Sequence, residues 1–253
     1  MRILAVAHNT FREAVRDKVL YVLLFFAASA IAGSKALGWI SIGQDIKIVK
    51  DICLASVSLF GVLISIFVGA SLVYKEIDKR TIYTIICRPM HRYEFILGKY
   101  LGLCALLAVV VCAMAAMSTG YILLLGGAVQ VVFFQAMLLA YCELLLITAL
   151  AVLMSSVTSP ILGAIIVFCA YILGHATGIL IDLPDHFDGT TAERVLQTVY
   201  YILPNLTNFN IRSEAANGVP VAPGYVLWAV VYGAVYTLML LVLAALAFED
   251  KDV

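Results

Sequence analysis

Six apolar runs, at about residues 19–40, 52–74, 100–125, 131–154, 160–181 and 225–248, constrain the fold of this sequence more than any other feature. Each suits the roughly 20 residues that a helix needs to cross a bilayer. Their weight shows in the composition: 64% of residues are hydrophobic, 13% are charged and the mean hydropathy is +1.05. Ordinary soluble domains are about 45 to 50% apolar and about 25% charged. The expected fold is an all-α integral membrane protein with six transmembrane helices, forming a single domain over 1–253.

Sixteen basic residues balance sixteen acidic ones, so the total gives no reason to expect nucleic acid as a partner, and the position of each charge matters more. Cys53, Cys87, Cys104, Cys112, Cys142 and Cys169 show no CxxC or metal-ligand spacing, and none lies in the long loop after residue 181. They read as small packing residues, with no metal site and no disulfide framework.

Residues 1–18 are amphipathic: Ile3, Leu4, Ala7, Phe11, Ala14 and Val15 share one helical face, with Arg2, Arg12, Glu13, Arg16 and Asp17 largely off it. This predicts an interfacial helix leading into the first span. The apolar run before His8 is too short for a signal peptide. Lys35 is near enough to the outer end of the first span to snorkel, with Trp39 at the interface.

Residues 41–51 read as a short polar loop. In the second span Gly61, Ser65 and Gly69 stand four apart, a small-residue ribbon that admits another helix closely. It serves either packing within the chain or a role along a pathway. Gly126-Gly127 makes a tight turn into the fourth span, and Ser155–Ser159 is a short link before Pro160. Proline suits a helix start because its missing N–H would be unpaired there.

An even number of spans puts both termini and the stretch Tyr74–Tyr100 on one side of the membrane. That side then holds eleven basic residues against five on the other, Lys35, Lys47, Lys50, Arg194 and Arg212. The richer side is cytoplasmic.

Tyr74–Tyr100 is the longest strongly charged run between apolar segments, with Lys75, Lys79, Arg80, Arg88, Arg92 and Lys99 against Glu76, Asp78 and Glu94. Ile77, Thr81, Thr84 and Ile85 recur at helical spacing, Pro89 stops that helix, and Tyr93, Phe95, Ile96 and Leu97 begin another. Two short helices around a proline elbow are expected. Ile77, Ile82, Ile85, Ile86 and Met90 give the segment more apolar surface than a solvated loop needs, as a docking surface would.

In this stretch the chain resembles the permease subunits of type-2 ATP-binding-cassette (ABC) transporters, in the compact six-span form similar to multicopper-enzyme-maturation permeases. Their cytoplasmic segment between spans two and three carries Glu, Thr, then Pro with a nearby Arg, then Gly-Lys. Here those positions are Glu76, Thr81, Pro89, Arg92, Gly98 and Lys99; Arg80 stands where many members have Gly, and Ile85 is an apolar anchor. The resemblance implies that 75–99 is a coupling segment for a separate ATPase.

It equally implies a connecting helix at 1–18 and re-entrant or interfacial helices between spans five and six. That loop, 182–224, opens with Asp182, Asp185 and Asp188, and Thr190 with Glu193 makes a capping box ahead of Ala192, Val195, Leu196, Val199 and Leu203. An amphipathic extracytoplasmic helix ending at Pro204 is expected. Pro204-Asn205 with Phe209-Asn210 looks like a recurring feature of the compact permeases.

The sequence lacks a GxxxxGK[ST] phosphate loop, HExxH, GxSxG and any intramembrane Asp pair, so the chain has no ATPase or protease machinery of its own. Glu143 in the middle of the fourth span, Gln135 nearer its outer end and His175 in the fifth are the buried polar candidates. Counted from the outer ends of spans reaching 131 and 181, Glu143 and His175 differ in depth by about two turns and are not expected to pair. Glu143 is either a functional carboxyl or a protonated one hydrogen-bonded to a neighbouring helix. Gly174 and Gly178 flank His175 at GxxxG spacing, which favours a packing role.

The resemblance thus implies a permease half that dimerises, as a homodimer or heterodimer, over two copies of an ATPase that binds ATP and magnesium. It would work in a prokaryotic cytoplasmic (inner) membrane with both termini cytoplasmic. The apolar and small-residue spans suit a lipid-like or hydrophobic substrate, and the resemblance implies its export. The alternatives are an ion-coupled secondary transporter using Glu143, against which stands the lack of an internal repeat, and a non-transporting assembly factor.

Overall fold

The computed structural model describes residues 2–38, 45–78, 92–176 and 203–249. Among these every regular element is helical: α1 (Arg2–Val15), α2 (Lys18–Gly38), α3 (Asp45–Asp78), α4 (Arg92–Leu124), α5 (Val131–Val157), α6 (Pro160–His175), a 3-10 turn (Leu206–Phe209), α7 (Arg212–Asn217) and α8 (Pro223–Glu249). Five of them, α2, α3, α4, α5 and α8, are long and apolar enough to cross a membrane. This is the character of a multi-pass membrane protein. The sixth expected span is described only as α6, 16 residues long, about 24 Å at 1.5 Å per residue.

The centre of the bundle is α3 against α5; α2 lies on α3, α8 on α5, and α4 and α6 close the sides. Because the apolar residues of α4, α5 and α8 run all the way round, the inward faces are set by close contacts and hydrogen bonds rather than by an apolar stripe. Tyr141 Oη donates to the Cys104 carbonyl at 3.1 Å, tying α5 to α4, and Tyr121 Oη donates to the Ala32 carbonyl at 2.8 Å, tying α4 to α2.

Three boundaries differ from the sequence expectation. Residues 45–51 are the first turns of α3 rather than loop. Helix α5 runs through Ser155 and Ser156 to Val157, leaving only Thr158-Ser159 as the link; the Thr158 hydroxyl bonds the Met154 carbonyl at 2.8 Å and so closes the last turn. The expected separate short helices of the charged segment are, where described, continuations of spans: α3 reaches Asp78 without a break, and α4 starts at Arg92 and continues to Leu124. At 34 and 33 residues, both helices are about 50 Å long and outrun a hydrocarbon core of about 30 Å.

The α4–α5 turn follows from its glycines. Gly126 adopts φ 78°, a left-handed conformation that costs a residue without Cβ little. Gly127 N–H then bonds the Ile122 carbonyl at 2.9 Å and Gly126 N–H the Leu123 carbonyl at 3.0 Å, satisfying the last carbonyls of α4.

Residues 203–222 form a cap on the bundle end away from α1. Asn205 N–H donates to Tyr232 Oη at 2.9 Å, Tyr225 Oη donates to the Asn208 carbonyl at 2.9 Å, and Leu206 and Phe209 are buried beneath. The amphipathic helix expected over 190–203 lies outside the described residues, apart from Leu203.

Candidate functional site

The one buried carboxylate of α5, Glu143, is paired. His175 Nε2 and Glu143 Oε1 are 2.7 Å apart, with the Glu143 side chain 3% exposed and the His175 side chain 21% exposed. This corrects the expectation that the two do not meet. Depth has to be counted from the Thr158-Ser159 link that α5 and α6 share, not from their far ends. Glu143 lies 14 residues before Val157 and His175 lies 15 after Pro160, so an antiparallel hairpin brings them level. The short link in the sequence was the signal for this register.

Local packing holds the histidine there. Gly174 lies so close to Leu206 and the Pro204 carbonyl that an added Cβ would stand 2.8 Å from the Leu206 side chain and 2.9 Å from that carbonyl oxygen. The Tyr171 ring meets the His175 ring edge-to-face at 4.8 Å. An imidazole and a carboxyl in such contact can share or exchange one proton, and a buried carboxylate left without this partner would be costly. Gln135 is not part of the pair: it lies eight residues earlier on α5, about 12 Å away along the axis, with its Oε1 buried and unbonded.

The small-residue ribbon of α3 faces α5. A Cβ on Gly61 would come within 2.6 Å of Leu144 Cδ1, and one on Gly69 within 3.2 Å of Ala151 Cβ. Ser65 turns its hydroxyl back to the Gly61 carbonyl at 2.9 Å. These three residues therefore pack one turn after another beside the Glu143 helix.

At the opposite end, Gly98 and Lys99 meet α1. A Cβ on Gly98 would stand 2.6 Å from Val6 Cβ, and one on Gly102 would stand 2.6 Å from the Ala7 carbonyl oxygen. Lys99 is 1% exposed; its Nζ lies 3.7 Å from Glu13 Oε2 and 5.6 Å from the Phe95 ring centroid. Thus α1 packs on α4 along a face that includes Val6 and Thr10, whereas Leu4, expected on the apolar face, is 70% exposed. The sequence reading did not include Gly102 or the Glu13 partner, although Gly98-x-x-x-Gly102 is a GxxxG in plain view.

Of the other coupling residues, Glu76 is in the last turn of α3 and Arg92 is the first residue of α4, while Arg80, Thr81, Ile85 and Pro89 lie outside the described residues, as does Gly178. Among the described residues no cluster of three or more His, Cys, Asp or Glu could hold a metal ion.

The model of the family described as "Protein of unknown function (DUF2705)" matches residues 21–253. The chain belongs to the DUF2705 family. The matched region takes in both Glu143 and His175 of this DUF2705 protein, together with Gly98, Lys99 and Gly102, but not α1. No curated protein matches the chain.

Proposed function

We propose that this DUF2705 protein is the permease subunit of an ABC transporter, exporting a lipid-like or hydrophobic substrate with energy from a separate ATPase. The observation that carries the reading is the root of the charged segment. Helices α3 and α4 are long enough to leave the bilayer on either side of residues 79–91, and α1 is clamped on α4 at Gly98 and Gly102, beside the segment's last motif residues. A force applied to such a segment passes into two rigid spans and the N-terminal helix together. In this reading α6 belongs to a sixth span, both termini are cytoplasmic in a prokaryotic inner membrane, and two copies of the chain dimerise over two ATPases.

The test is co-purification with a separate ABC ATPase expressed together with the chain. Glu76→Lys and Ile85→Asp are expected to leave the membrane domain folded while cutting retained ATPase and substrate-stimulated hydrolysis several-fold. Transport by the chain alone in liposomes, or full coupling in both variants, overturns the proposal. Cysteines placed at Asp188 and Arg88, in a background without the native six, are expected to label from opposite sides.

The Glu143–His175 pair favours a second reading, an ion-coupled secondary transporter in which the pair carries a proton. The permease reading expects Glu143→Gln to transport, since Gln still hydrogen-bonds His175. A Gln variant that assembles but is dead, with the pH dependence of transport lost, selects the second reading.

A further inference from the structure

Three elements converge at the capped end of the bundle: the last turns of α2, the first two turns of α3, and α7. Between them lies a cavity of about 700 Å³ lined by Lys35, Lys47 and Lys50, with Asp45, Asn217 and several apolar side chains. Its volume falls in the range of small-molecule sites, about 300–1,000 Å³. We propose that this cavity binds a phosphate group. The proposal stands whether or not the chain is a permease.

Lys50 carries the argument. It is only 8% exposed, yet among the described residues it makes no ion pair or hydrogen bond, and it lines the cavity. With its stem buried and its ammonium open to the cavity without a counter-ion, Lys50 offers an entering anion a charge-assisted bond. Lys47 is three residues away on the same face of α3, and Lys35 comes from α2. Among the described residues that line it, three ammonium groups stand against the carboxylate of Asp45, so the cavity carries the positive charge that an anion site needs. Lysines serve as point-charge partners of phosphate, and the N-terminus of α3 adds positive potential.

A second cavity, about 670 Å³, adjoins through Lys47 but is lined by Asp51 and Glu214 as well as Lys47 and Arg212. Among the described residues its formal charges cancel once Lys47 is counted there, and Lys35 and Lys50 against Asp45 still leave the first cavity one positive charge in excess. The site lies where the apolar runs of α2 and α3 give way to charged residues, the level at which lipid headgroups lie. A lipid phosphate and a free phosphate share the same chemistry here.

The experiment is a ligand titration of the purified full-length protein in neutral detergent, read as thermal stabilisation. The probes are dioctanoyl phosphatidic acid, dioctanoylglycerol and inorganic phosphate. Phosphatidic acid is expected to stabilise the protein saturably, with Lys50→Gln weakening apparent affinity at least tenfold and Lys47→Gln about threefold or more. Stronger stabilisation by phosphatidic acid than by inorganic phosphate supports the site with a lipid source; the reverse supports it with a soluble source. Equal stabilisation by dioctanoylglycerol, which has the same acyl chains and no phosphate, overturns it, because acyl chains would then account for binding. No stabilisation by any probe, or wild-type affinity in both lysine variants, also overturns it. If Lys50→Gln does not fold, Lys47→Gln and the exposed Lys35→Gln decide the matter on the same criteria.

Discussion

Two places in this molecule join a short helix to a long one by the same parts, and they use them differently. At mid-bundle α6 meets α5 through Glu143 and His175, with Gly174 at the end of α6 under the cap. At the bundle end α1 meets α4 through Lys99 and Glu13, with Gly98 and Gly102 under α1. In each pair the long helix supplies the buried charge and the short helix the more accessible partner. The distances differ, 2.7 Å against 3.7 Å, and so does the environment. A carboxyl far from either end of its helix has nowhere to reach and must be bonded where it is. The lysine is near the start of its helix, holds its ammonium 5.6 Å from the Phe95 ring centroid, and needs less from its partner. The central contact is therefore held by its polar pair, and the terminal one by glycine packing.

The largest expected effect tests the first half of that contrast. His175→Leu leaves Glu143 buried and unpaired, and a loss of about 3 to 5 kcal/mol in unfolding from mixed micelles is expected. The double variant Glu143→Leu with His175→Leu is expected to recover most of it, since apolar replacement of a whole buried pair is often neutral. A double variant as unstable as the single one would show that the pair is not what holds α6.

The second half is tested by Gly102→Ala. Its Cβ would meet the Ala7 carbonyl and Thr10 Cβ, each at 2.6 Å, and backbone cannot rotate away. A cost of about 1 to 3 kcal/mol is expected, seen as faster tryptic cleavage at Arg12 when α1 lifts. Gly61→Ala makes an equally short contact, but with the tip of Leu144, which can change rotamer. The expected cost is about 1 kcal/mol, so Gly102→Ala should be the worse of the two. Equal effects would mean that α5 yields no more than α1 does.

The smallest effect belongs to the terminal ion pair. Glu13 is 38% exposed, and Glu13→Gln is expected to cost under about 1 kcal/mol and less at high salt. A larger loss would make Lys99 as dependent on its partner as Glu143 is, and the contrast would fail.

Much of the architecture was legible in the residues because it depends on local chemistry. Apolar runs of sufficient length predict spans, Gly126-Gly127 predicts the tight turn after α4, and Pro160 predicts the start of α6. The candidate site was legible only as single residues. Glu143 stands out as an intramembrane acid, but counting from the far ends of the two spans puts His175 at a different depth, and the polar run 41–51 gives Lys50 the look of a loop charge.

What the sequence by itself determined is which segments are apolar helices and where tight links join them. Only the tertiary structure decided which face of each helix turns inward, that α5 and α6 pair in the register joining Glu143 to His175, and that Gly98 and Gly102 receive α1. The reason is physical. In a bilayer, lipid and protein interior are equally apolar, so hydrophobicity does not distinguish the two sides of a helix. The choice falls to close backbone approach and to polar groups that must find partners, and both depend on atoms brought from distant parts of the chain.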